Sequence, residues 1–134
     1  MRALAAARGL DIATDSAGTG GWHAGDPPDR RAVATAARHG VDISDLRARQ
    51  LTVGDFAAFD RIVAMDADNL AHADAMRPAG AMRATISLLL AHCGRTTAEV
   101  GDPYYGDGDG FERCWADIVA GVEGLATEIE FRGR

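Results

Sequence analysis

Apolar positions along this chain follow two rhythms. The longest is helical: Phe111, Cys114, Trp115, Ile118, Val119, Val122, Leu125, Ala126 and Ile129 recur at spacings of three and four. That single stripe predicts a helix from about 111 to 130, with Cys114 and Trp115 on it as packing residues. The other rhythm is short and continuous. Residues 61–66 form a compact apolar run ending in a carboxylate, as buried parallel strands do, and residues 84–90 are a second strand candidate whose leucines could equally be helical. Residues 11–17 read as a third short strand that runs into a glycine-rich loop, 18–25.

Helix signals lie between these runs. Residues 1–8 are good helix formers, and Gly9 is a natural stop. Asp26-Pro27-Pro28-Asp29 offers an N-cap and prolines suited to a first turn, opening a helix that runs to His39 before Gly40. Residues 44–51 read either as a turn or as a short extended segment. Thr52-Val53-Gly54-Asp55 resembles a capping box with Asp in place of Glu, opening a short helix through Phe56 and Phe59. Asp68-Asn69 can cap a further helix that Pro78 terminates. Strands alternating with helices predict an α/β sheet, in which ligands bind beyond the carboxyl ends of the strands. Ser16, Met65-Asp66 and Asp102 all follow strand-like segments and are expected to converge there.

Composition narrows the class. At 134 residues the chain is about one domain, spanning 1–134. No run approaches the roughly 20 apolar residues of a membrane span, and a net charge of −6 argues against nucleic acid or an anionic membrane as partner. Residues 1–8 are too short, and too interrupted by Arg8, for a secretion signal. The cysteines, Cys93 and Cys114, have no metal-type spacing and make no disulfide framework, which fits a reducing cytoplasm. Neither a cofactor nor a metal is expected. His23, His39, His72 and His92 show no ligand spacing, and Asp107-Gly108-Asp109-Gly110 begins like a calcium loop but lacks its later positions.

The chemistry concentrates in Gly101-Asp102-Pro103-Tyr104-Tyr105-Gly106. Pro103 fixes its own φ and biases Asp102 toward an extended pose, so a carboxylic acid stands beside two phenol rings. Such an acid can give a proton to a leaving group while the rings line the slot that holds it. The same residues also read as a surface turn whose tyrosines cap a core edge.

Eight stretches carry a resemblance: Asp15-Ser16-Ala17-Gly18-Thr19, Gly25-Asp26-Pro27-Pro28-Asp29, Arg38-His39-Gly40, Ala48-Arg49-Gln50-Leu51, Asp55-Phe56, residues 59–66, Asn69-Leu70, and Asp102-Pro103-Tyr104-Tyr105-Gly106 with Phe111. Their order and spacing resemble low-molecular-weight protein tyrosine phosphatases over nearly the whole chain. The resemblance implies a doubly wound, three-layer α/β/α sandwich around a four-stranded parallel sheet. It implies that Asp102 is the general acid that protonates the leaving phenolate and then activates water on a phosphoenzyme. It further implies that Tyr104, Tyr105 and Trp22 wall the substrate ring and that Ser16 braces the phosphate loop. The expected partner is a phosphotyrosine protein or a small aryl phosphate.

One part of the family pattern has no counterpart here. The family holds its nucleophilic Cys and phosphate-binding Arg in a Cys-x5-Arg-Ser/Thr loop at the N-terminus of its first helix. Met1-Arg2-Ala3-Leu4 match the interior of that helix, so the central first strand and the loop are expected to be missing, making the domain N-terminally truncated. Six residues after Cys93 comes Glu99, and six after Cys114 comes Ala120, so neither substitutes. Three readings follow: a phosphatase whose start lies upstream, a non-catalytic phospho-ligand or protein-binding remnant, and an arsenate reductase-like protein, which Asp102-Pro103-Tyr104-Tyr105 disfavours. In each, the chain as it stands is expected to be inactive. The strands at 12–17 and 61–66 are expected to pair directly or to recruit a second copy as a homodimer through exposed edges.

Overall fold

The computed structural model describes residues 1–80, 83–95, 99–101 and 108–132. Helix α1 (Arg2–Arg8) stops at Gly9, whose φ of 67° costs a glycine nothing. Helix α2 (Arg30–Arg38) is opened by Asp29, whose carboxylate accepts the Arg31 N–H at 2.7 Å. Pro27 and Pro28 lie ahead of that cap and stiffen the approach to the helix, outside its first turn. Helix α3 (Asp55–Ala58) is a single turn, and β1 (Arg61–Ala64) follows it directly.

Helix α4 (Ala67–Met76) starts two residues earlier than a cap at Asp68 implied, because the Asp66 carboxylate reaches the Asn69 N–H at 2.7 Å. It ends where Arg77 turns extended ahead of Pro78, as residues before proline prefer. The run at 84–90 divides. Strand β2 (Thr85–Leu88) gives way to a 3-10 helix, Leu89–Cys93, which buries Leu89 and Leu90 together. Helix α5 (Gly108–Arg132) extends the predicted apolar stripe by a few residues at each end.

Strands β1 and β2 pair in parallel, with Arg61 opposite Thr85 and Ala64 opposite Leu88. Alternation along the strands sorts side chains to two faces. Ile62 and Ile86 pack with Phe56, Ala73 and Met76 on one side. Val63 and Met65 pack with Leu89, Leu90, Cys114, Ile118 and Val122 on the other. Helices α3 and α4 thus cover one face and α5 the other, an α/β fold in three layers. Burying each of these aliphatic side chains contributes about 1.5–3 kcal/mol.

Two glycines in the apolar stripe let α5 approach closely. A Cβ at Gly124 would collide with the His92 carbonyl, and one at Gly121 with the Leu89 side chain. The same junction holds a polar lock. His92 Nδ1 lies 2.7 Å from Glu128 Oε2, its Nε2 lies 2.8 Å from Ser87 Oγ, and Arg61 reaches Glu128 Oε1 at 3.1 Å. Because a carboxylate only accepts, Nδ1 carries the proton.

The expected strand at 11–17 does not form. Its end makes one parallel bridge, with the Gly18 N–H donating to the Arg49 carbonyl and the Leu51 N–H to the Gly18 carbonyl, both at 2.8 Å. Nor does this segment pair with β1. A cavity of about 350 Å³ separates them, lined by Asp15, Ser16, Ala17, Gly18 and Thr19 on one side and by all of β1 with Met65 on the other. A strand needs a ladder partner for its backbone groups, and residues 11–17 meet none. Among the described residues the sheet therefore has two strands, and the β1 edge away from β2 faces this cavity. A larger apolar cavity of about 960 Å³ lies between α1, α2, α5 and the segment after α2, and it shares Asp15 and Ser16 with the smaller one.

Candidate active site

The site is built at the carboxyl end of β1. There the Met65 carbonyl accepts the Val100 N–H at 2.9 Å. That bond brings the chain entering Gly101 to the end of the strand, and Val100 is itself buried beside Leu89 and Leu90. Asp66 is less available than the sequence suggested, since its carboxylate is occupied in capping α4. Glu99 Oε1 accepts the Ala67 N–H at 3.1 Å. Two carboxylates thus complement the positive end of the α4 dipole.

Facing β1 across the smaller cavity is a polar wall. Ser16 is exposed, and its N–H donates to Asp15 Oδ1 at 2.8 Å. Asp15 Oδ2 accepts Arg49 Nε at 3.0 Å. Arg49 then grips Asp55 with both terminal nitrogens, at 3.0 and 3.1 Å, while the Thr52 N–H reaches Asp55 Oδ2 at 2.8 Å. Asp55 is one of two buried polar residues in the described chain. The Arg49 hydrogen bonds, aided by those from Thr52, hold its carboxyl below the ordinary carboxylate range, and Asp55 in turn raises the Arg49 guanidinium.

This network fastens the Ser16 segment to the 49–55 stretch through side chains as well as backbone. The sequence pointed only to the Thr52–Asp55 spacing, and half of that capping box forms: Asp55 accepts the Thr52 N–H. The partner role of Arg49 left no trace in any periodicity.

Trp22 is 82% exposed and lines neither cavity. Its indole lies over Gly20, where any Cβ would strike the ring, and meets His23 edge-on with centroids 6.2 Å apart. Gln50 braces this loop from below, its amide donating to the Thr19 carbonyl at 3.3 Å. The structure thus brings Ser16 to the cavity with Arg49, Asp55, Asn69 and Met65, and leaves Trp22 outside it. Asp102, Tyr104 and Tyr105 lie outside the described residues.

Arg49 and Arg61 are the guanidiniums that line the smaller cavity, and each is already matched to carboxylate: Arg49 to Asp15 and Asp55, Arg61 to Glu128. The sequence contains no Cys-x5-Arg spacing. The geometry therefore supplies a pocket floor and a braced serine.

A family model for the low molecular weight phosphotyrosine protein phosphatases matches residues 1–133. The low molecular weight phosphotyrosine protein phosphatase of Schizosaccharomyces pombe is 40% identical over 106 residues, covering 78% of this chain and 67% of that protein. The low molecular weight protein-tyrosine-phosphatase YfkJ of Bacillus subtilis is 38% identical over 134 residues, covering 97% of this chain and 83% of its own length. Among solved structures, a low molecular weight phosphotyrosine phosphatase from Vibrio cholerae O395 superposes with a TM-score of 0.90 at 29% identity, over 99% of this chain and 86% of the other. With the doubly wound α/β fold and the residues at the end of β1, these likenesses show that the chain belongs to the low molecular weight phosphotyrosine protein phosphatase family.

Proposed function

We propose that this chain carries the acid-and-aromatic half of an aryl phosphate ester site and does not turn phosphate esters over by itself. The observation that supports this reading is the Val100–Met65 hydrogen bond, which ties the chain two residues ahead of Asp102 to the carboxyl end of β1, where Met65 and Ser16 line one cavity. Doubly wound folds bind their ligands there. In this reading, once a cysteine thiolate from an added Cys-x5-Arg loop attacks phosphorus and takes the phosphoryl group, the ester P–O bond breaks with its electron pair moving onto the phenolate oxygen, which takes the Asp102 proton. Tyr104 and Tyr105 hold the ring, and Ser16 braces the phosphate-binding backbone. A phenolate whose conjugate acid has a pKa near about 10 leaves far better when protonated, a term worth roughly 10²–10⁴ in rate.

The sequence holds no Cys-x5-Arg spacing, and the guanidiniums lining the smaller cavity, Arg49 and Arg61, are paired with carboxylates, whereas phosphoryl transfer depends almost wholly on such positioning and charge. The substrate class is a phosphotyrosine protein or a small aryl phosphate, and the setting is a reducing cytoplasm. No cofactor is proposed.

The test uses a protein to which a strand and Cys-x5-Arg loop from a close relative have been added. Asp102→Asn there should slow the pre-steady-state burst of phenol release by roughly 10²–10⁴ for basic leaving groups, and much less for strongly acidic phenols. Equal slowing across a series of aryl phosphates would show that Asp102 shapes a turn and transfers no proton.

A further inference from the structure

The end of α2 and the start of α5 are joined by a cluster that the phosphate chemistry does not use. His39 stacks on Trp115, with ring centroids 4.6 Å apart and planes 11° from parallel. Its Nε2 lies 2.8 Å from Glu112 Oε2. Arg38 places Nε and Nη2 at 3.1 and 2.9 Å from Glu112 Oε1, and donates from Nη2 to Thr35 Oγ1 at 3.0 Å. One carboxylate on α5 therefore receives two neighbouring groups from the end of α2. Thr35, Gly40 and Trp115 all line the larger cavity, so the cluster stands in its wall.

We propose that His39 is a proton-operated latch between α2 and α5. With the imidazolium, the bond to Glu112 is charged at both ends and a cation lies flat on the indole face. With the neutral ring the stack keeps its area but loses its charge, and Arg38 alone holds Glu112 ionically. On the acid side the latch fails again once Glu112 takes a proton. The hydrogen bonds from His39 and then Arg38 keep that carboxyl below its ordinary range.

Among the described residues, Arg31, Asp42 and Asp45 near this junction have partners of their own. Arg31 of α2 lies over the Phe111 ring, 4.8 Å from its centroid. In the segment after α2, Asp42 accepts from Ser44 and Asp45 pairs with Arg2 of α1. Glu112 is the carboxylate placed on the His39 ring.

The test reads Trp115 alone, in a Trp22→Phe protein, by emission and by acrylamide quenching from about pH 4 to about pH 9, a span that covers carboxylate and imidazole titration. A cationic imidazolium stacked on the indole should quench emission and shield the ring. Both effects should peak at weakly acidic pH, and the closed-to-open ratio should fall about two- to fivefold on the alkaline side, the scale of an exposed cation–π contact. His39→Gln keeps a donor but cannot charge, and should erase the alkaline limb. Glu112→Gln should erase the acid limb. A flat profile in the parent, or an alkaline limb that survives His39→Gln, would overturn the latch.

Discussion

The Val100 amide donates to the Met65 carbonyl at 2.9 Å, tying the chain ahead of Gly101 to the carboxyl end of β1. Val100 is 6% exposed and packs with Leu89 and Leu90, so backbone and side chain act together. Val100→Ala should lower stability by about 1–3 kcal/mol through lost burial and a residual void. A change under about 0.5 kcal/mol in urea unfolding, the size of an ordinary surface substitution, would show that this segment is not docked on the strand.

Arg49 and Asp55 make the strongest polar pairing beside the cavity. Because Asp55 titrates below its unfolded value, chiefly through the Arg49 hydrogen bonds, its contribution is fully present above about pH 4 and is lost as pH falls through the depressed folded value. Asp55→Asn should cost about 1–3 kcal/mol near neutrality and make the melting temperature less sensitive to acid. An unchanged acid limb would remove Asp55 from the account of acid lability.

Two glycines should respond in opposite ways. Gly124→Ala puts a methyl against the backbone of His92, which has nowhere to go, and should cost about 1–3 kcal/mol. Gly20→Ala meets only the outer atoms of the Trp22 ring, a side chain that is 82% exposed and can swing away. Stability should then change by no more than about 0.5 kcal/mol, while the Trp22 emission shifts. Equal costs at the two positions would mean that Trp22 is fixed more firmly than its exposure indicates.

The β1 edge away from β2 faces a cavity where a parallel sheet ordinarily has a neighbour, and such edges template pairing. Light scattering at rising concentration should show a dimer. A monomer that unfolds cooperatively at high concentration would show that the cavity is tolerated without a partner strand.

Legibility in the sequence followed the locality of the signal. The α5 stripe, the stops at Gly9 and Gly40 and the apolar run of β1 depend on neighbours within a turn or two, and each appeared where its pattern put it, whereas the α2 cap fell at Asp29, past the prolines expected in its first turn. Residues 11–17 had strand composition but no ladder partner, which no local pattern reports. Leu89 and Leu90 left the strand because α5 offered them a buried face at the 3-10 turn. Within the site, the sequence pointed to Ser16 only through its resemblance to the family, and Ser16 lines the smaller cavity. The Arg49–Asp15–Asp55 network joins positions up to 40 apart in number and depends on three side chains meeting in space. Trp22 was expected against the substrate ring, yet it lines neither cavity.

The most direct test of the central claim is p-nitrophenyl phosphate hydrolysis by the 134-residue chain itself. With no Cys-x5-Arg loop, and with Arg49 and Arg61 already paired to carboxylates, release of p-nitrophenol should not exceed the rate without protein. Turnover that persists through rigorous purification and disappears on Cys93→Ser or Cys114→Ser would contradict it, since one of those thiols would then be serving as the nucleophile.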